Sequence, residues 1–326
     1  MHALASPSQI AKRTLWPFFL SFISIIVAAG IIEGLLRIKN SSMRNYDIEM
    51  WRYALELKKR SENHLLGHEH IPSQKSVLQS VEIRINEKGL RGGPILPVIP
   101  GQRRILFLGS SVTLGWGVAE SQTLTQLLEN KFKGKGDTVQ VLNAGIGNYN
   151  AMRYVERFLT NLTDIAPTDI VVHYFLRDAE ILEAGRHNPL LRNSQMAVTI
   201  WNVLTRFLNQ SREKTLEDHY KAVYEPTAPG FNAMKQSLRR LAQYAKAHNI
   251  KIYLAMTPDV HDLVDYKFKF IHDQMQKIAW ELGYDYIDLL PAMRNLTPEE
   301  LWAMPGDPHP NAEGHRRMAD AIFPHL

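Results

Sequence analysis

The chain opens on a run without charge. Leu15 to Ile32 reads LWPFFLSFISIIVAAGII, preceded by Lys12 and Arg13 and continued past Glu33 by Gly34, Leu35 and Leu36. At about 1.5 Å per residue, such a helix nearly crosses a hydrocarbon layer roughly 30 Å thick. Residues 1–36 are therefore expected to be a membrane anchor that contacts the bilayer through 15–36. Val27 and Ala29 would suit a signal-peptide cleavage site, but the apolar pattern runs on through GIIEGLL, so an uncleaved single span is the expectation. Residues 37–100 are mainly polar with scattered apolar positions and predict a partly helical connector. Beyond Pro100 the pattern becomes regular. Short apolar runs at 103–109, 138–145, 169–176, 250–256 and 284–290 predict buried strands, alternating with helical stretches near 119–133, 150–163 and after Pro310. Alternation of this kind implies a parallel five-stranded sheet covered on both faces, a three-layer α/β/α sandwich over 101–326. Residues 179–230 interrupt it as an insertion. Within them Ala197–Leu208 has an amphipathic spacing; a domain-internal apolar face is its commoner outcome, a partner or membrane surface the other.

Composition narrows the classes. Of 326 residues, 45% are hydrophobic and 22% charged, which excludes disordered and fibrous chains; with no cysteine, disulfides and thiolate chemistry are excluded as well. The formal charge of +5 is uneven. Residues 1–104 carry 15 Lys and Arg against 8 Asp and Glu, and the remainder has a small acidic excess. The basic surplus thus sits beside the apolar run, where anionic headgroups could meet it. No basic stripe interleaved with aromatics or helix-turn-helix pattern accompanies it, so nucleic acid is not an expected partner. Arg37, Lys39 and Arg44 on the far flank balance Lys12 and Arg13, and charge alone leaves the membrane orientation undecided. The histidines of HLLGHEH (64–70) have an i, i+4 pair, but no HExxH accompanies them; they predict a solvated stretch, and no metal is expected. No Walker A or Rossmann fingerprint is present, so no cofactor is expected.

In a parallel sheet, ligands bind beyond the carboxyl ends of the strands. The segments there read GSSVTLGWG, NAGIGNYN and RDAE, joined by GDPHPNAEGH before the last helix. Ser111 stands just after the first strand. Thr113 occupies the place of the second glycine, so this is not a GxSxG elbow. Asp307 lies two residues before His309 on a proline-flanked segment. A serine attacks at neutral pH when a histidine takes its proton and a carboxylate orients that histidine, so Ser111, His309 and Asp307 form a candidate triad. Trp116 suits a pocket wall or core packing equally, Asp259 and His261 are expected in a structural turn, and His315 in helix capping or packing.

These blocks, in this order, resemble the SGNH or GDSL-type hydrolase superfamily from about Arg103 to the C-terminus. INEKGLRG (85–92) and the preceding anchor are similar to membrane-anchored bacterial members. The resemblance implies Ser111 as nucleophile, His309 as base and Asp307 as its acid. It implies an oxyanion hole drawing on the second block, where Gly145 and Asn148 are candidates. Arg177 stands where the third-block asparagine is expected, and Ser110 replaces the aspartate of GDS. The implied function is a serine esterase or O-acyltransferase acting on acyl esters, expected to be acetyl esters, of an extracytoplasmic glycan. The implied setting is a bacterial inner membrane with the domain in the periplasm, and a multi-span O-acyltransferase is an implied partner. The Arg177 departure leaves open an alternative: a weakly active domain that binds glycan or scaffolds such a complex.

Overall fold

A computed structural model describes residues 7–182, 189–209, 215–294, 296–305 and 307–326. The chain divides into two compact units, residues 1–48 with 187–211 and residues 49–186 with 212–326. Residues 1–6 of the expected anchor, and 183–188 and 210–214 within the expected insertion, lie outside the described residues.

The first unit holds helix α1 (Pro7–Asn40), a short α6 (Pro189–Asn193) and α7 (Gln195–Asn209). Among the described residues, α1 is the one helix long and apolar enough to cross a membrane, over Trp16–Asn40, and its apolar side chains are mostly exposed. Helix α7 forms where the amphipathic spacing predicts one, but its apolar face is not domain-internal: Trp201, Leu204 and Phe207 are exposed.

In the second unit, the segment expected as a polar connector is more structured than its pattern suggests. From Glu49 it contributes most of α2 (Tyr46–Glu56) and two antiparallel pairs, β1 (Lys58–Arg60) with β2 (His68–His70) and β3 (Lys75–Leu78) with β4 (Val81–Arg84). Gln79 and Ser80 turn β3 into β4 with φ of +49° and +63°. Two successive positive φ values match the twist of a two-residue hairpin, although neither residue is a usual choice for it.

The central sheet is parallel, ordered β6-β5-β7-β8-β9: β5 (Arg103–Gly109), β6 (Val139–Asn143), β7 (Asp169–Phe175), β8 (Lys251–Thr257) and β9 (Asp285–Asp288). All five expected strands form; β5 to β8 are apolar runs buried on both faces, while the edge strand β9 is only partly buried. Leu106, Leu108, Ile170 and Val172 face one layer and Ile105, Phe107 and Val171 the other. The first layer contains α5 (Ala151–Arg157), α9 (Pro229–Ala247) and α10 (Lys269–Leu282), the second α4 (Leu124–Gly134), α11 (Leu290–Met293) and α13 (Ala312–Ile322). The unit also holds three shorter α-helices, α3 (Ser111–Leu114), α8 (Leu216–Val223) and α12 (Pro298–Leu301). Strands β6 and β7 leave β5 on opposite sides, which opens a crevice at the carboxyl end of β5, where such folds bind ligands.

Candidate active site

Ser111 sits at that crevice, as the first residue of α3 directly after β5. The segment carrying Asp307 and His309 is not a free turn but a strand, β11 (Asp307–Pro310), paired antiparallel with β10 (Trp302–Met304). Asn311 ends it by capping α13, its Oδ1 accepting from the amides of Glu313 and Gly314. The two segments meet. Ser111 Oγ donates to His309 Nε2 over 2.8 Å, and His309 Nδ1 donates to Asp307 Oδ1 over 2.5 Å. The His309 amide also donates to Asp307 Oδ1, at 3.1 Å. The second carboxylate oxygen, Oδ2, accepts from Gln79 Nε2 at 2.9 Å. Burial acts to raise the Asp307 pKa, but the hydrogen bonds from His309 and Gln79 outweigh it and hold the group below the ordinary carboxylate value.

The second-block loop is shaped by close packing. A Cβ on Gly145 would lie 2.2 Å from the Leu114 backbone nitrogen, so only glycine lets this loop touch α3. The Gly145 amide donates to Asn143 Oδ1, whose Nδ2 in turn donates to the Thr113 carbonyl. The Gly145 N–H, expected to face an oxyanion, is directed to Asn143 Oδ1, and the residue contributes the close approach.

Asn148 has a left-handed φ of +64° and is exposed. Among the described residues, neither its amide nor that of Ser111 has a protein acceptor. The residue before it is clasped from the N-terminal extension. His70 Nδ1 donates to the Gly89 carbonyl, Tyr53 donates to His70 Nε2, and the Gly147 amide donates to the Tyr53 hydroxyl. The Gly147 carbonyl accepts from His68 Nε2 and Lys58 Nζ. Burial lowers Lys58 to about 7, with Arg153 adding to the effect. His68 and His70 thus hold backbone in place rather than lying in a solvated stretch. Among the described residues, no group of three metal-ligating side chains occurs.

Arg177, beyond β7, has a largely exposed side chain, with Nε donating to Glu180 Oε2 at 3.3 Å. Trp116 is 1% exposed and packs on Tyr53, so it belongs to the core. Asp259 and His261 repeat the Asp307–His309 contact: ring Nδ1 and backbone amide of His261 both meet Asp259 Oδ1. Trp302 connects this pair to β11, donating from Nε1 to the Val260 carbonyl while pairing with Pro310. His315 Nδ1 accepts from the Leu124 amide and so caps α4.

Sequence reasoning missed three supporting residues. Gln79 has no local signature. His173, paired in register with Gly109, bridges Thr113 Oγ1 and Thr257 Oγ1 within the sheet. Arg91 is buried and donates to the carbonyls of Leu114, Gly115 and Val118, bracing the turn after Ser111. INEKGLRG shows the arginine, but only the fold shows that it is buried, where such a charge needs an anchored acceptor set.

The family model for GDSL-like lipases and acylhydrolases matches residues 107–317. Comparison with curated proteins gives no match. Among solved structures, the chain is similar to a lipolytic protein of the G-D-S-L family from Desulfitobacterium hafniense DCB-2 (15% identity, 68% of this chain and 99% of that one, TM-score 0.43). A mutant of Axe2, an acetylxylan esterase from Geobacillus stearothermophilus, is similar at 14% identity (70% and 95%, TM-score 0.45). The psychrotrophic esterase EstA from Pseudoalteromonas sp. is similar at 14% identity (68% and 95%, TM-score 0.42).

Proposed function

The chain belongs to the GDSL-like lipase/acylhydrolase family, and from that premise we propose that its ester hydrolysis runs through Ser111, His309 and Asp307. The observation that carries this is the continuous chain of contacts from Ser111 Oγ through both ring nitrogens of His309 to Asp307. With Nδ1–H directed at Asp307, Nε2 is the basic nitrogen. It takes the Ser111 proton as Oγ bonds to the ester carbonyl carbon. The amides of Ser111 and Asn148 are the donors for the resulting oxyanion. Collapse expels the alcohol, which receives the proton from Nε2 and leaves an acyl-Ser111 ester. An acceptor hydroxyl then attacks the acyl carbon, giving its proton to Nε2; collapse breaks the acyl–Oγ bond, and Nε2 returns the proton to Ser111. Water yields hydrolysis, and a sugar hydroxyl yields transfer. Gln79 holds Asp307 against rotation, and Arg177 serves substrate binding from the rim of the site.

A fluorophosphonate probe should label the wild-type protein and leave Ser111→Ala unlabelled, with p-nitrophenyl acetate hydrolysis falling at least 1,000-fold. Undiminished labelling of Ser111→Ala would overturn the assignment. Arg177→Ala should raise KM several-fold on an acylated oligosaccharide while leaving kcat on p-nitrophenyl acetate within about twofold; a large fall in kcat on both would instead make it an oxyanion donor.

The substrate reading, an O-acetylated extracytoplasmic glycan, rests on the likeness of the anchored layout to periplasmic partners of multi-span O-acyltransferases. Acetylated sugar as main product from an activated acetyl ester plus oligosaccharide would establish transfer. We read α1 as the uncleaved span that holds the enzyme on the outer face of the inner membrane. Its length and largely exposed apolar surface support this, and retention of α1 in the mature protein in an alkali-washed membrane fraction tests it.

A further inference from the structure

Helix α7 has its polarity reversed relative to a helix packed into a protein. Gln195 and Val198 are buried and Thr199, Asn202 and Thr205 half-buried, so the covered side is mostly polar. Ile200, Trp201, Val203, Leu204, Phe207 and Leu208 are between 50% and 73% exposed. At 3.6 residues per turn, those six side chains occupy one arc of roughly 160°. Six large apolar groups on one face form a patch that a soluble surface rarely leaves in water.

What meets that patch is indicated by how α7 is fastened. Its N-terminus is capped not by its own sequence alone but by Glu33 of α1. The Glu33 carboxylate accepts from Ser194 Oγ (2.9 Å), the Gln195 amide (3.0 Å) and the Met196 amide (2.9 Å). Asn40 Nδ2 donates to Gln195 Oε1 at 2.9 Å, and Arg37 donates to the Asn193 carbonyl at 3.2 Å. Farther along, Arg206 pairs with Asp47 at 2.5 Å. Helix α7 is therefore held against the C-terminal end of α1, between Glu33 and Asp47. On α1 the exposed apolar surface continues through Ile31, Ile32, Leu35 and Ile38 to that same end. A carboxylate inside an apolar span must be partnered, and the orphan amides of a helix N-terminus together with Arg37 supply partners. Lys39, Arg44 and Arg192 add basic charge nearby, suited to anionic headgroups.

We propose that α7 is an interfacial helix that lies in the headgroup–acyl boundary of the bilayer entered by α1, with Trp201, Leu204 and Phe207 directed into the acyl chains. This rests on reading α1 as a membrane span and adds a second, in-plane contact to it. The cysteine-free chain allows a direct test. Single cysteines replacing Ile26, Asn202, Leu204, Phe207 or Lys235 are spin-labelled in the full chain. Each is reconstituted in vesicles of phosphatidylcholine with one quarter phosphatidylglycerol, and collision with oxygen and with an aqueous nickel chelate is measured. Labels at 204 and 207 should be oxygen-accessible and nickel-protected at a depth of roughly 5–10 Å, unlike those at 202 and 235. Nickel access at 204 and 207 equal to that at 235, with Ile26 still in the acyl core, overturns the interfacial helix and spares the span. Protection of 204 and 207 from both reagents means protein, such as a second copy, covers the face, and also overturns it. Nickel access at Ile26 removes the span and the proposal together.

Discussion

Gln79 acts at the smallest scale, through one hydrogen bond. It reaches Asp307 from 228 residues away in the chain and occupies the oxygen that His309 leaves open. Removing it leaves the carboxylate with one fewer donor, a loss of about 1–2 kcal/mol for a charged acceptor. Gln79→Ala should therefore lower kcat/KM on p-nitrophenyl acetate roughly tenfold, far less than Ser111→Ala. The pH profile sharpens the test. Asp307 has a folded pKa depressed below its unfolded value, so its ionised form contributes above the unfolded pKa, and that contribution is lost as pH falls through the folded value. Taking away Gln79 removes one of the lowering contacts, so the stability contributed by ionised Asp307 should be lost at a higher pH in the variant, read by chemical unfolding across the acid range. An unchanged acid dependence of unfolding with the same tenfold loss of activity would mean that Gln79 acts by packing alone.

At the scale of elements, the nucleophile turn is held from three sides rather than by its own sequence. Helix α3 is four residues long and could not persist alone. Arg91 binds the carbonyls at its end, Asn143 binds the Thr113 carbonyl, and Gly145 packs against its backbone. Burial lowers Arg91 to about 10, which leaves it charged at neutral pH while its three carbonyl partners replace water. Gly145→Ala forces a methyl into the Leu114 backbone, where no flexible side chain can yield. The expected cost is about 1–3 kcal/mol, or more, with a large loss of activity even where the protein still folds. Thermal unfolding and fluorophosphonate labelling of the variant measure the two effects separately. A variant as stable and as reactive as the wild type would show that the loop can retreat from α3.

Across the whole molecule, neutral histidines that are buried or half-buried set the response to acid. His68, His173 and His315 are each lowered to about 3, in every case chiefly by desolvation. Their unfolded values lie near 6.5, so between pH 6.5 and 3 the unfolded chain binds protons that the folded chain does not. Stability must then fall as pH drops through that window, by up to about a factor of ten in the folding equilibrium per histidine per pH unit. Chemical unfolding of the detergent-solubilised chain at pH 7, 6 and 5 should show this steep loss, and His315→Gln should make it shallower. A flat stability between pH 7 and 5 would contradict the neutral, desolvated state of these rings. What was legible in the sequence follows the range of the forces involved. Strands at 103–109 and 169–175 declare themselves because burial on both faces leaves a continuous apolar run, a property of neighbouring positions. Ser111 and the Asp307–His309 pair are readable for a similar reason: each chemical unit is short. The tertiary structure alone decided that a hairpin tip at Gln79 completes the Asp307 site, that the Gly145 amide is spent on Asn143, and that α7 turns its apolar side outward. Those outcomes depend on contacts between segments distant in the chain, and a pattern of local polarity records which residues can be buried but not what will lie opposite them.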